Sequence, residues 1–92
     1  MNTFIGIGRI IGVESNDKVL KFTFSVQQES PCVIPCVLFY PKEEAKQHIE
    51  QLFGSNQLVW LQGRITVSEY ESHGRTFRNV EIVTYANSIK AI

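Results

Sequence analysis

Between Val19 and Gln27 the chain alternates without a break. Leu20, Phe22, Phe24 and Val26 fall on one face, and Lys21, Thr23, Ser25 and Gln27 on the other. A period of two with one apolar face predicts a half-buried antiparallel strand. It is preceded by an Ile- and Gly-rich run, Phe4 to Val13, and by the polar quartet Glu14-Ser15-Asn16-Asp17, a turn signal. Ser30-Pro31 ends it, and Val33 to Tyr40 reads as a third strand in which Pro35 implies an edge or a bulge. The period then changes. Ala45, Ile49, Leu52 and Phe53 recur at i, i+4, i+7 and i+8, Pro41 suits a first helical turn, Glu43 and Glu44 suit the positive end of a helix dipole, and Gly54 suits a stop. One short amphipathic helix is predicted over about Lys42 to Phe53. Leu58 to Tyr70 returns to period two, with Val59, Leu61, Gly63, Ile65 and Val67 on the core face and Trp60, Gln62, Arg64, Thr66, Ser68 and Tyr70 opposite. Ser72-His73-Gly74 makes a hairpin turn, Arg75 to about Tyr85 a fifth strand, and Ala86, Ile89 and Ile92 are docking residues of a tail.

Three strands, one helix and two strands is the order of a five-stranded Greek-key barrel with the helix between strands 3 and 4, the oligonucleotide-binding (OB) arrangement. The 92 residues suffice for one such domain, expected over 1–92, with no internal repeat or linker. A core of that size gives modest stability, which assembly into an oligomer would raise.

Composition narrows the chemistry. Nine Lys+Arg balance nine Asp+Glu, so overall charge argues against strong non-specific binding to nucleic acid. No run approaches the ~18 apolar residues of a membrane span, and the first residues lack a secretory pattern. The expected setting is the cytoplasm with its nucleoid, or an organelle matrix. Cys32 and Cys36, if on one strand, stand about 13 Å apart, too far for a disulfide, and are expected to be plain packing residues. With His48 and His73 they form no metal spacing, so neither metal nor cofactor is expected. Gly6, Gly8 and Gly12 precede no helix, which points to relief of crowding in a curled strand instead of a phosphate loop. No nucleophile–base pair is legible, and the chain reads as a binding module instead of an enzyme.

Ordered pieces of the chain resemble the bacterial and organellar single-stranded DNA-binding protein family along nearly its whole length. They are Met1-Asn2 with Ile7-Gly8-Arg9-Ile10, then Leu20-Lys21-Phe22-Thr23-Phe24-Ser25-Val26, then Cys36-Val37-Leu38-Phe39 before a helix holding Ala45. Leu58-Val59-Trp60-Leu61-Gln62-Gly63-Arg64-Ile65 follows, and then Tyr70, Gly74 and Val80-Glu81-Ile82. The resemblance implies sequence-independent binding of single-stranded DNA by aromatic stacking beside a basic groove, in replication, repair and recombination, by a homo-oligomer, tetramer first and dimer second. It implies that Phe39 is a stacking residue, that Tyr70 is an aromatic near a hairpin tip, and that Trp60 lies near subunit contacts. Val33 stands where many members have another stacking tryptophan, Thr66-Val67-Ser68-Glu69 is neutral to acidic where basic residues are common, and the loop between strands 2 and 3 is short. With no linker or acidic tail after Ile92, tail-mediated recruitment of proteins is not expected.

Each candidate also has a plainer reading. Phe39 could pack under a loop, and Tyr70 could pair across the turn with Phe77. Trp60 could stack on ligand or be covered by the chain's own tail instead of by a subunit. Arg64, which shares a face with Tyr70, leads the cations Arg9, Arg75, Arg78 and Lys21, any of which could instead be charge on a solvated face. The alternative for the whole chain is an OB-derived interaction or primosome-type accessory module with weak or lost nucleic-acid binding. Zero net charge and Val33 favour it.

Overall fold

The computed structural model describes residues 2–92; Met1, which carries part of the resemblance, lies outside the described residues. The elements are β1 (Thr3–Ser15), β2 (Val19–Val26), β3 (Cys32–Phe39), α1 (Glu43–Gly54), β4 (Val59–Ser72) and β5 (Arg75–Ala91). The strands close a barrel in the order β1-β2-β3-β5-β4, with antiparallel neighbours except for the parallel pair β3–β5. This is an OB fold, with the helix between β3 and β4 as the sequence predicts.

The core follows the alternation. Leu20, Phe22 and Phe24 from β2 are buried with Cys36 and Leu38 from β3, Val59 and Leu61 from β4, and Ile82 and Ile89 from β5. Helix α1 closes this core with Ala45, Ile49 and Leu52. Phe53 is exposed, so the apolar stripe of the helix is narrower than the sequence suggests. Pro41 lies outside the first turn: Lys42 is the N-cap residue, in an extended conformation, and the helix runs one residue further, through Gly54.

Strand β1 serves two neighbours. Its first half pairs with β4 and its second half with β2, and Gly8 belongs to both registers, opposite Val59 and Val26. A Cβ there would collide with the Ser25 carbonyl oxygen, so the first strand needs glycine at this crossing. A bulge at Ile11 then re-aims the strand. The next turn is held by the Asn16 carboxamide oxygen, which accepts from the backbone N–H of Lys18 and Val19. Pro35 pairs in register with Thr23, and β3 meets β5 only from Cys36 onward, so the proline occupies an edge, without a bulge.

The largest departure from the sequence reading is the length of β4 and β5. Their ladder runs from Val59–Ala91 to Ser72–Arg75, closed by His73 and Gly74, both with positive φ (54° and 74°), the mark of a two-residue primed turn. The hairpin therefore extends past the barrel as an arm. Val67, assigned to the core by its phase, lies on this arm and is exposed, because no layer covers that side. The tail is the end of β5. Ile89 alone docks in the core, Ala86 and Ile92 being exposed. Between the pairs Gly63–Thr84 and Leu61–Ile89 there are two steps along β4 but five along β5, so Tyr85 to Ser88 bulge out of the ladder.

Candidate nucleic-acid interface

With Cys36, Leu38, Ile65 and Ile82 turned inward, the neighbouring residues of β2, β3, β5 and β4 face outward. They form one transverse row: Lys21 opposite Val37, Val37 beside Val83, and Val83 opposite Arg64. Val37 and Val83 are buried although they lie on the outer face, so they make a closely packed floor flanked by two long cationic side chains. Phe39 and Tyr85 stand two residues beyond Val37 and Val83 on parallel strands, both exposed on the same face. Phe39 and Leu38 separate as alternation requires, Leu38 inward and Phe39 outward.

Beyond Val37 and Val83 the two parallel strands part, and a cleft of about 710 Å³ opens in the fork. Its walls include Phe39, Tyr40 and Tyr85, with Arg64, Lys42 and His48 around them. His48 is not a free helix-surface group; its Nε2 lies 3.0 Å from the Ile89 carbonyl oxygen, which requires the N–H on that nitrogen. The Tyr40 N–H donates to the Lys18 carbonyl at 2.7 Å, with Tyr40 at φ 47°. Tyr40, Tyr85 and Lys42 are absent from the sequence reading as site residues. Tyr85 is within reach of that reading, since placing Ile82 inward in a regular strand turns Tyr85 outward. The fork and the bulge that give Tyr85 its neighbours leave no mark in the residue pattern.

The other candidates fall elsewhere. Tyr70 faces outward near the arm tip and stacks on Phe77 at 5.3 Å between centroids and 19° between planes, the cross-strand pairing weighed from the sequence. Arg75 shares its face by register. Arg78 is on the opposite face of the arm, where its Nε donates to Glu69 Oε1 at 2.8 Å. Arg9 donates to the Asn56 carbonyl oxygen at 3.2 Å and lies on β1, opposite Ser25. The structure thus brings Phe39, Arg64 and Lys21 together, sets Tyr70 and Arg75 on the arm, and separates Arg78 and Arg9 from both. Lys21 has Glu14 directly across on β1, and Glu81 lines the same shallow recess, so its charge is partly offset.

Trp60 is half-buried on the outer side of β4, between Ile7 of β1 and Lys90 near the end of β5. Ile5 and Ile7 are exposed along β1 beside it. Cys36 is buried and its thiol is pushed up to about 12, first by burial and then by the Glu81 charge. Cys32 is exposed, so only one of the two cysteines is a packing residue. Among the described residues no cluster of His, Cys, Asp and Glu could hold a metal ion, and no helix is long and apolar enough to cross a membrane.

No family model matches the chain, and no curated protein matches it by sequence. Solved structures do. The mitochondrial single-stranded DNA-binding protein Rim1 of S. cerevisiae superposes with a TM-score of 0.72 at 16% identity, covering 98% of this chain and 93% of that one. The Plasmodium falciparum SSB in complex with single-stranded DNA gives 0.67 at 17%, covering 100% and 93%. A small single-stranded DNA-binding protein of Streptomyces coelicolor gives 0.65 at 13%, covering 98% and 93%. At these identities the likeness establishes the shared OB fold.

Proposed function

We propose that this protein binds single-stranded DNA without reading its sequence, in the service of replication, repair or recombination. The observation that carries this reading is the outward row Lys21–Val37–Val83–Arg64 with Phe39 beside it. A flat apolar floor, an exposed aromatic ring and flanking cations are what a flexible strand of stacked bases and phosphates requires. Arg64 is the leading phosphate contact, because a guanidinium fork suits phosphate oxygens and its side chain makes no ion pair among the described residues. The kinship in fold with three single-stranded DNA-binding proteins supports the same reading. Tyr70 with Phe77 forms a second platform on the arm, with Arg75 on its face; Arg9 and Arg78 are secondary. The exposed strip Ile5–Ile7 beside Trp60 is assigned to contact with another copy in a homo-oligomer, a tetramer before a dimer.

Titrating a long thymidine strand at low and moderate salt, read by fluorescence anisotropy, tests the proposal. Saturable binding at low salt that weakens with added salt is expected. An absence of binding at low salt would sink it. Charge favours one rival, an OB-derived interaction module that has lost nucleic-acid binding. Lysines and arginines only equal the acids in number, Arg78 is engaged by Glu69, and Lys21 faces Glu14.

A further inference from the structure

Three exposed aromatic rings, Phe39, Tyr40 and Tyr85, converge on the cleft between β3, β5 and the start of α1. Their neighbourhood differs from that of Tyr70. The ring of Tyr70 already has one face on Phe77, whereas none of these three stacks on another aromatic among the described residues. Two features of the backbone make the cleft. The strands β3 and β5 pair only through Cys36–Ile82 and Val37–Val83 and then diverge. The bulge of β5 carries Tyr85, Ala86 and Asn87 out of the β4 ladder and into the wall. Paired strands lie about 4.8 Å apart, and a flat ring held between two others needs about 7 Å, twice the van der Waals spacing. A fork that opens past a paired row passes from the first separation toward the second.

We infer that this cleft holds one nucleobase of the bound strand, inserted edge-first between Phe39 and Tyr85 instead of lying flat on the sheet, with its phosphate on Arg64 and Lys42. The inference rests on the proposed binding of single-stranded DNA and adds a site within it. A volume of about 710 Å³ suits a single nucleotide and is in the range of small-molecule sites. The lining favours an aromatic guest: three rings and the apolar Val83, Ala45 and Leu38. The charges fit a phosphodiester at the mouth, two cations against one acid, Glu44. Two polar groups of the wall are already engaged. The Thr84 hydroxyl donates to the Gln62 carbonyl at 2.8 Å, and His48 Nε2 is held by the Ile89 carbonyl. The three rings recognise a base by its π-face, which all four bases share, and the site stays indifferent to sequence.

Tyr85 is the discriminating residue, since it is exposed and its removal leaves the core intact. The unmodified protein, Tyr85→Ala and Tyr85→Phe are titrated with a thymidine oligonucleotide carrying one 2-aminopurine, whose fluorescence falls when it is stacked between rings. Tyr85→Ala should weaken binding about 5- to 150-fold, the range for losing one stacked base, and restore part of the fluorescence. Tyr85→Phe should behave as the unmodified protein. If all three bind equally and quench equally, the cleft holds no base while DNA binding itself stands. If Tyr85→Ala instead changes only the assembly state, the cleft is a contact between copies and the inference is overturned. If the unmodified protein binds no thymidine strand, the inference falls together with the proposed function.

Discussion

Phe39 and Tyr70 are both outward aromatics, yet their rings begin from different states. Phe39 presents a free ring beside the valine floor, while Tyr70 already has one face covered by Phe77. Loss of a stacked base costs about 1–3 kcal/mol. Phe39→Ala should fall in the upper part of that range. Tyr70→Ala should fall in the lower part, because Phe77 survives as a platform. Anisotropy titrations of the two variants decide it, and equal losses would contradict the distinction. The cysteines form a second contrasting pair. Cys32 should react with a thiol reagent in the native protein, whereas Cys36 should react only on unfolding. The Cys36 thiol also sets an alkaline limit. It stays neutral in the fold up to about pH 12 while the unfolded chain ionises from 9.0, so the fold loses stability as pH rises across that window. The loss approaches about 1.4 kcal/mol per pH unit for one such group. Urea unfolding of Cys36→Ala should show a flatter dependence over the same window, and an unchanged slope would remove the thiol as its cause. Both contrasts are half legible in the sequence. Alternation turns Phe39 and Tyr70 outward and Cys36 inward, but the neighbours that determine their behaviour come from other strands.

Among the elements, β2 and α1 are the most legible, because each buries one face against a single layer and so shows a clean period. β1 reads too short from its residues, ending at Val13 instead of Ser15, since the polar Glu14 and Ser15 read as the start of the turn although they still pair with Lys21 and Leu20 of β2. β5 reads as a strand plus a tail. Its end pairs with Val59 to Leu61 only because three extra residues loop out before Ile89, and a residue pattern does not announce such a bulge. The arm misleads the phase argument in the opposite sense, because Val67 and Val80 keep the inward phase of the barrel after the barrel has ended. Gly8 shows how tightly the crossing of β1 between its two partners is built. Gly8→Ala sets a methyl against the Ser25 carbonyl and should cost about 1–3 kcal/mol, as overpacking of a close contact does. Gly12→Ala is the control. Its Cβ would meet nothing closer than the Thr23 hydroxyl at 3.7 Å, so its urea midpoint should stay near that of the unmodified protein. Comparable losses from both substitutions would show that the crossing is not specially tight.

For the molecule as a whole, the fold is legible because its signals are spread over every element, whereas the binding face depends on a few residues whose proximity only the closed barrel creates. That face is short of charge. Trp60→Arg, which places a cation beside Ile5 and Ile7, should lower the assembly state measured by light scattering. A monomeric unmodified protein at tens of micromolar would dispose of that contact. Charge shortage makes the stronger demand on binding. The row offers Lys21 and Arg64, the cleft adds Lys42 and the arm adds Arg75, while Arg78 is held by Glu69 and Lys21 is offset by Glu14. For single strands each neutralised phosphate contributes about 0.7 to the logarithmic salt slope, so about three effective cations give a slope near 2 per subunit. Stacking must then supply most of the affinity at moderate salt. Arg64→Ala should therefore weaken binding at low salt and make the slope shallower by about 0.7. Phe39→Ala should weaken binding at every salt concentration and leave the slope unchanged. Titrations of the three proteins across a tenfold salt range separate the two contributions. A steep slope for the unmodified protein, or a change of slope on losing Phe39, would mean that charge and not stacking holds the strand.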